Sequence, residues 1–195
     1  THKDKYKRLY ELVKRYKTGI IYCSTRKKVE QVYEALSDFG LSVTAYHAGM
    51  TDEQREEAQN AFMNRHADIV IATNAFGMGI DRADVRFVAH FEIPGSVEAY
   101  YQESGRAGRD GEEAYCELLF NHADLRTQEF FIEGVNPGIP LIVELYELLR
   151  KHCSAETHDV MWSLEEMAER LKCRNAMQVG AALSVLTVSY THLRA

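Results

Sequence analysis

The chain has 195 residues, of which 46% are hydrophobic and 27% charged, and a formal net charge of −6 at pH 7. That length suits one medium domain, or one domain plus a small module, with enough apolar material for a proper core. The acidic balance argues against a polycation that coats nucleic acid nonspecifically, although a few well-placed basic groups are enough to line a local groove.

No apolar run approaches the roughly 18 residues needed to cross a bilayer, and no signal-peptide pattern opens the chain. The four cysteines, Cys23, Cys116, Cys153 and Cys173, have neither CxxC nor Cys/His ligand spacing. They read as reduced, mostly buried thiols of a cytoplasmic protein, with no metal site implied.

The first stretch, Thr1 to Lys17, repeats Leu9, Leu12, Val13 and Tyr16 at helical spacing. Gly19 then introduces the apolar run Ile20 to Cys23, expected as a buried strand, with Ser24, Thr25, Arg26 and Lys27 at its C-terminal end. A helix follows with Val29, Val32, Tyr33, Leu36 and Phe39 on one face, closed by Gly40. The unit repeats: a strand over Ser42 to Tyr46, the polar turn His47-Ala48-Gly49, and a helix opened by the Thr51/Gln54 capping box. Further strands are expected over Asp68 to Ala72, Phe87 to Phe91 and Tyr115 to Phe120, with a helix starting at Ser96. Strands alternating with helices imply a parallel sheet covered on both faces, with ligands beyond the C-terminal strand ends. The segments Ser24–Arg26, His47–Gly49, Thr73–Asp81 and Gly105–Asp110 are all expected near that edge.

The run Tyr100 to Gly111 places Arg106 and Arg109 three apart among Gly105, Gly108 and Gly111. Glycine lets the backbone turn sharply, and arginine offers a charged planar fork that matches phosphate oxygens in pairs. The charge on a transferring phosphoryl group is what an arginine finger stabilises. A solvated Gly/Arg loop, its arginines tied up by Glu103 and Asp110, fits the bare pattern equally well.

Asn136 to Pro140 breaks the chain with two prolines and a glycine. Three amphipathic helices are expected beyond it: one with Ile142, Leu145, Tyr146 and Leu149, one opened by a Ser163/Glu166 capping box, and one with Val179, Ala182, Leu183 and Leu186. The last two have helix-turn-helix proportions.

Four motifs in order, Tyr22 to Glu30, Tyr46 to Met50, Ala72 to Asp81 and Tyr101 to Gly111, resemble motifs IV to VI of the RecQ family of superfamily 2 DNA helicases. The resemblance covers residues 1–133. It implies an α/β fold: residues 1–134 as a second RecA-like domain, with a P-loop-NTPase-type parallel sheet between helices, and 135–187 as an abbreviated helical, winged-helix-like region. Residues 188–195 resemble translated sequencing-adapter sequence and are expected to be a non-native tail.

By that resemblance Arg109 is the finger for the γ-phosphate of ATP, and Arg106 assists at the phosphates or braces the loop. Gln102 would sense nucleotide, and Gly79 and Asp81 would lie near the ribose and the catalytic water. Ser24, Arg26, Thr73 and Asn74 match positions that hold single-stranded DNA by its backbone. For Ser24 and Thr73 taken singly, strand-end capping is an alternative, and His47 reads equally as a turn residue satisfied by backbone. The sequence has no Gly-x-x-x-x-Gly-Lys-[Ser/Thr] loop and no Asp-Glu-x-His box. The resemblance therefore implies one half of a 3′–5′ motor for repair and recombination, inactive alone. ATP and magnesium would be held mainly by an N-terminal RecA-like domain. Many relatives carry a four-cysteine zinc module; Cys153 and Cys173 lack such partners, so no zinc is expected. Single-stranded and duplex DNA would be partners, a membrane would not, and a bacterial cytoplasmic or nucleoid location is expected. Two other readings remain: a DNA-binding or interaction module that uses its helix-turn-helix without hydrolysis, and an RNA helicase of the DEAD-box type.

Overall fold

The computed structural model describes residues 2–76, 80–152 and 160–192. In chain order its elements are α1 (His2–Tyr16), β1 (Gly19–Tyr22), α2 (Arg26–Ser37), β2 (Val43–Tyr46), α3 (Asp52–Met63), β3 (Ile69–Ala72), β4 (Phe87–His90), α4 (Val97–Ser104), β5 (Tyr115–Leu118), α5 (Ala123–Val135), α6 (Ile139–His152), α7 (Leu164–Arg170) and α8 (Ala176–His192). They fall into two compact units, residues 1–125 and 126–195.

In the first unit the five strands are all parallel, in the order β2-β3-β1-β4-β5, with Gly19 level with Ile69 and Phe87. Successive strand residues point to opposite faces, and the core divides accordingly. Ile21, Cys23, Ile69, Ile71, Phe87 and Ala89 meet Leu9, Leu12 and Val13 of α1 and Val29, Val32 and Leu36 of α2. Ile20, Tyr22, Val70, Ala72 and Val88 meet Phe62 of α3 and Phe76, Ile80 and Val85 of the β3–β4 connection. The near-continuous apolar strands follow from this two-sided burial.

The helix start expected at Ser96 holds, Ser96 capping α4 by accepting from Ala99 N, and Thr25, not singled out in the sequence, caps α2 by accepting from Lys28 N. Thr51/Gln54 and Ser163/Glu166 both form complete capping boxes. After α2, Gly40 takes φ +70, a left-handed conformation that costs glycine nothing sterically.

In the second unit Leu145, Met167, Ala168, Val179 and Ala182 form the buried core of α6, α7 and α8. The sequence did not suggest α5. Its Phe130, Ile132 and Val135 are largely exposed and give no clean apolar stripe. Most of it belongs to the second unit, where Asn175 Nδ2 donates to Phe130 O at 3.0 Å and Gly134 lies against Met177. The units thus divide nine residues before the expected boundary at 134, because α5 precedes the Pro/Gly break yet packs beyond it. α8 continues to His192, into the stretch expected as a tail.

Candidate functional site

The segments expected together at one sheet edge separate into two groups. After β4 the chain reverses through α4, so the loop that follows returns to the strand starts. Gly108 N donates to Val85 O at 2.9 Å and Tyr115 N to Arg86 O at 2.9 Å, just before β4 and β5. The Gly105–Asp110 loop therefore lies at the N-terminal end of the sheet, opposite to expectation. A helix between two parallel strands has to return the chain to the strand starts, so the alternation itself already assigned this loop to that end, and only the strand-to-helix segments belong at the other.

Ser24, Arg26, His47–Gly49, Thr73 and Asn74 do converge at the C-terminal strand ends. Ser24 N donates to Glu92 Oε2 at 2.9 Å and its hydroxyl to Ile93 O at 3.2 Å. Thr73 is buried, with its N–H on Tyr46 O at 3.2 Å and its carbonyl accepting from Phe76 N at 3.0 Å. His47 Nδ1 accepts from Gly49 N at 3.2 Å, the turn arrangement the sequence allowed. Arg26 is exposed and lies over Gly49, where a Cβ would come within 3.1 Å of its Cδ. A residue larger than glycine there would push the guanidinium aside. Asn74 is exposed. Arg26 and Asn74 thus present free polar surface, whereas Ser24 and Thr73 already serve the loops.

The second group holds the arginines. Gly108 and Gly111 take φ +65 and +85, and the Gly111 N–H closes a turn on Gly108 O at 3.0 Å. Arg109 Nη1 donates to Asp81 Oδ1 at 2.9 Å and Ile80 O at 3.1 Å. Neither arginine pairs with Glu103 or Asp110, as a merely solvated Gly/Arg loop would have it. Glu103 hydrogen-bonds His90 Nε2 at 2.8 Å, and Asp110 pairs with Arg86, which holds its carboxyl below the usual carboxylate range. The buried Nε of Arg106 has no partner. Its guanidinium lies beside the Tyr22 hydroxyl; burial pushes that hydroxyl's pKa up, against the pull of Arg106. The same hydroxyl donates to Phe76 O at 3.2 Å. Gln102 is exposed on α4. Gly79 lies outside the described residues, as does Cys153.

Sequence reasoning missed His90, Glu103 and Tyr22. The available signal was a histidine ending an otherwise apolar strand and a carboxylate on the inner side of α4. Among the described residues no group of three His, Cys, Asp or Glu is placed to hold a metal. No described helix is long and apolar enough to cross a membrane.

Residues 4–111 match the family described as helicase conserved C-terminal domain. The ATP-dependent DNA helicase RecQ of Bacillus subtilis is 44% identical over 132 residues, 68% of this chain and 22% of that protein. RecQ of Pasteurella multocida is 53% identical over 108 residues, 55% of this chain and 17% of that protein. The chain thus spans about a fifth of the length of these relatives. Among solved structures, a DEAD box protein from Methanococcus jannaschii superposes with a TM-score of 0.57 at 26% identity, over 67% of this chain and 36% of that one. The RNA-helicase Prp28 from Chaetomium thermophilum gives 0.56 at 25%, over 86% and 37%.

Proposed function

The chain belongs to the helicase conserved C-terminal domain family, and on that premise we propose that it is the C-terminal motor half of an ATP-dependent 3′–5′ DNA helicase of the RecQ type. The reading is supported most by the disposition of Arg106 and Arg109, which stand clear of Glu103 and Asp110 on a loop fixed by backbone hydrogen bonds.

Arg109 acts as the finger. Its pair with Asp81 is exposed, with side-chain exposures of 38% and 84%. An exposed pair of this kind is worth only about 0–1 kcal/mol. Arg109 can therefore exchange Asp81 for phosphate oxygens of ATP held on a first RecA-like domain, where magnesium would neutralise part of the phosphate charge. Arg106 approaches the same phosphates or braces the loop through Tyr22. Gln102 senses nucleotide, and Asp81, with Gly79 of the same motif, serves the ribose and the attacking water. Arg26 and Asn74, with Ser24 and Thr73, track the DNA backbone through donors that carry no base information, as stepping over any sequence requires. ATP closes the two domains, Arg109 inserts, and hydrolysis reopens them. With no phosphate-binding Gly-x-x-x-x-Gly-Lys loop in its sequence, the chain alone hydrolyses ATP negligibly.

The test joins this chain to a RecQ-type first RecA-like domain and compares DNA-stimulated ATPase with and without Arg109→Ala. Loss of a finger lowers turnover by about 10³–10⁵, and nucleotide binding should survive. Little change would make the Gly/Arg loop structural and favour a DNA-binding module centred on α7 and α8, whose connecting turn exposes Lys172 and Arg174.

A further inference from the structure

His90 is fully buried at the end of β4, and Glu103 is the one buried residue of α4. A helix whose buried contact is a carboxylate is held to its sheet by a hydrogen bond instead of a greasy stripe. That bond, His90 Nε2 to Glu103 Oε2, is 2.8 Å long, with side-chain exposures of 1% and 11%. The imidazole also lies between two phenol rings. It stacks on Tyr22, with centroids 5.5 Å apart and planes at 21°, and meets Tyr100 of α4 at 4.9 Å. Tyr22 in turn donates its hydroxyl to Phe76 O and has Arg106 beside it.

His90 therefore touches both segments of the proposed phosphate machinery: through Glu103 it fixes the helix that leads into Arg106 and Arg109, and through Tyr22 it reaches the Thr73–Asp81 connection. We propose that the His90–Glu103 pair is a positioning device for the arginine finger, setting where the Arg106/Arg109 loop stands relative to Asp81. This rests on Arg109 being the finger. Neither side chain touches substrate; each acts through α4. The His90 Nδ1 is buried without a hydrogen-bond partner.

The experiment uses the chain joined to a RecQ-type first RecA-like domain, with DNA-stimulated kcat and the KM for ATP measured separately. Glu103→Leu keeps the volume but removes the acceptor, while Glu103→Gln keeps an acceptor for His90. Displacing a group about 1 Å can cost about 10²-fold, so Glu103→Leu should lower kcat by roughly ten- to hundredfold. An interaction felt only in the transition state appears in kcat, so KM should stay within about twofold. Glu103→Gln should restore most of the turnover, and Glu103→Leu should cost nothing further in an Arg109→Ala background. If Glu103→Leu does not fold, His90→Phe, which keeps a ring between Tyr22 and Tyr100, is read the same way. Wild-type kcat in these variants, with Arg109→Ala still inactive, would overturn the positioning role and leave the finger standing. A loss undiminished by Arg109→Ala would overturn it too. A silent Arg109→Ala would instead remove the finger, and this proposal with it.

Discussion

The arginine loop contains two left-handed glycines in different surroundings, and substituting each with alanine separates conformational strain from steric conflict. Gly108 and Gly111 have φ of +65 and +85. An L-residue held in that region loses about 1–2 kcal/mol. At Gly111 nothing lies within 4 Å of an added Cβ, so that conformational cost is the whole effect. At Gly108 the Cβ would stand 2.8 Å from Glu112 O and 3.1 Å from Ala114 Cβ. The carbonyl belongs to the backbone leading into β5 and cannot swing aside as a side chain could. Overpacking of this kind adds about 1–3 kcal/mol, which brings Gly108→Ala to about 2–5 kcal/mol against about 1–2 for Gly111→Ala. In urea, with a slope of about 2 kcal/mol per molar, the midpoint should fall by about 1–2.5 M for Gly108→Ala and by less than about 1 M for Gly111→Ala. Far-UV circular dichroism should carry the shift. Equal midpoints for the two variants would refute the steric part of the reasoning.

Arg82 is a second structural anchor. Its Nη1 donates to Phe62 O at 2.6 Å and Ala67 O at 2.9 Å, its Nε donates to Asp84 Oδ1 at 2.8 Å, and the guanidinium covers the Phe62 ring. Arg82→Leu should destabilise by about 1–3 kcal/mol for each carbonyl left unsatisfied, read from urea midpoints at pH 7. The hydrogen bond from Arg82 holds the Asp84 carboxyl below its usual value. A depressed folded-state pKa stabilises above the unfolded value of about 3.9 and is lost as pH falls through the folded one. Midpoints between pH 5 and pH 2 should therefore fall less steeply in Arg82→Leu than in the parent. Thiol labelling gives another check. Burial, with Glu92 adding to it, pushes the Cys23 thiol well above its normal pKa, whereas Cys116 is exposed. Maleimide followed by mass spectrometry should modify Cys116 in the native protein and Cys23 only on unfolding; early labelling of Cys23 would contradict the packing of β1 against α2.

The parallel sheet was legible because burial on both faces leaves uninterrupted apolar runs such as Ile69–Ala72, and because Thr51, Ser96 and Ser163 announce helix starts through local hydrogen bonds. What escaped notice depends on distant partners. The strand starts as the place of Arg106 and Arg109 were legible too, since a helix from Ser96 between two parallel strands must reverse the chain; the pairings on that loop were not. Asp110 and Glu103 stand beside the arginines in sequence, yet their partners are Arg86, 24 residues away, and His90, 13 residues away. α5 went unseen because its apolar residues are mostly exposed and its buried positions are Asp124 and Gly134, which leaves no apolar stripe to read. Neighbouring charges along a chain are thus a poor guide to pairing when a turn separates them from the sheet.

A DEAD box protein at 26% identity and an RNA helicase at 25% share this fold, while RecQ sequences match at 44–53%, so architecture alone cannot separate an RNA-directed motor from a DNA-directed one. The runs that resemble RecQ contain two kinds of residue. Phe76 and Ile80 are buried, at 1% and 4% exposure, and pack with Val85 and Val88. A likeness there expresses shared packing and would persist in a protein that had lost catalysis. Gln102, Arg109, Asp81, Arg26 and Asn74 are exposed and add little to the core. Their match to the motif positions has no folding explanation of comparable weight, so the chemical content of the resemblance resides in them. It follows that exposed-site substitutions should separate activity from stability. Arg109→Ala should leave the urea midpoint within about 0.5 kcal/mol of the parent, as surface changes do, while abolishing turnover in the joined enzyme. If Arg109→Ala instead unfolded the domain, its bonds to Asp81 and Ile80 would be holding the fold together, and the finger would lose its strongest support.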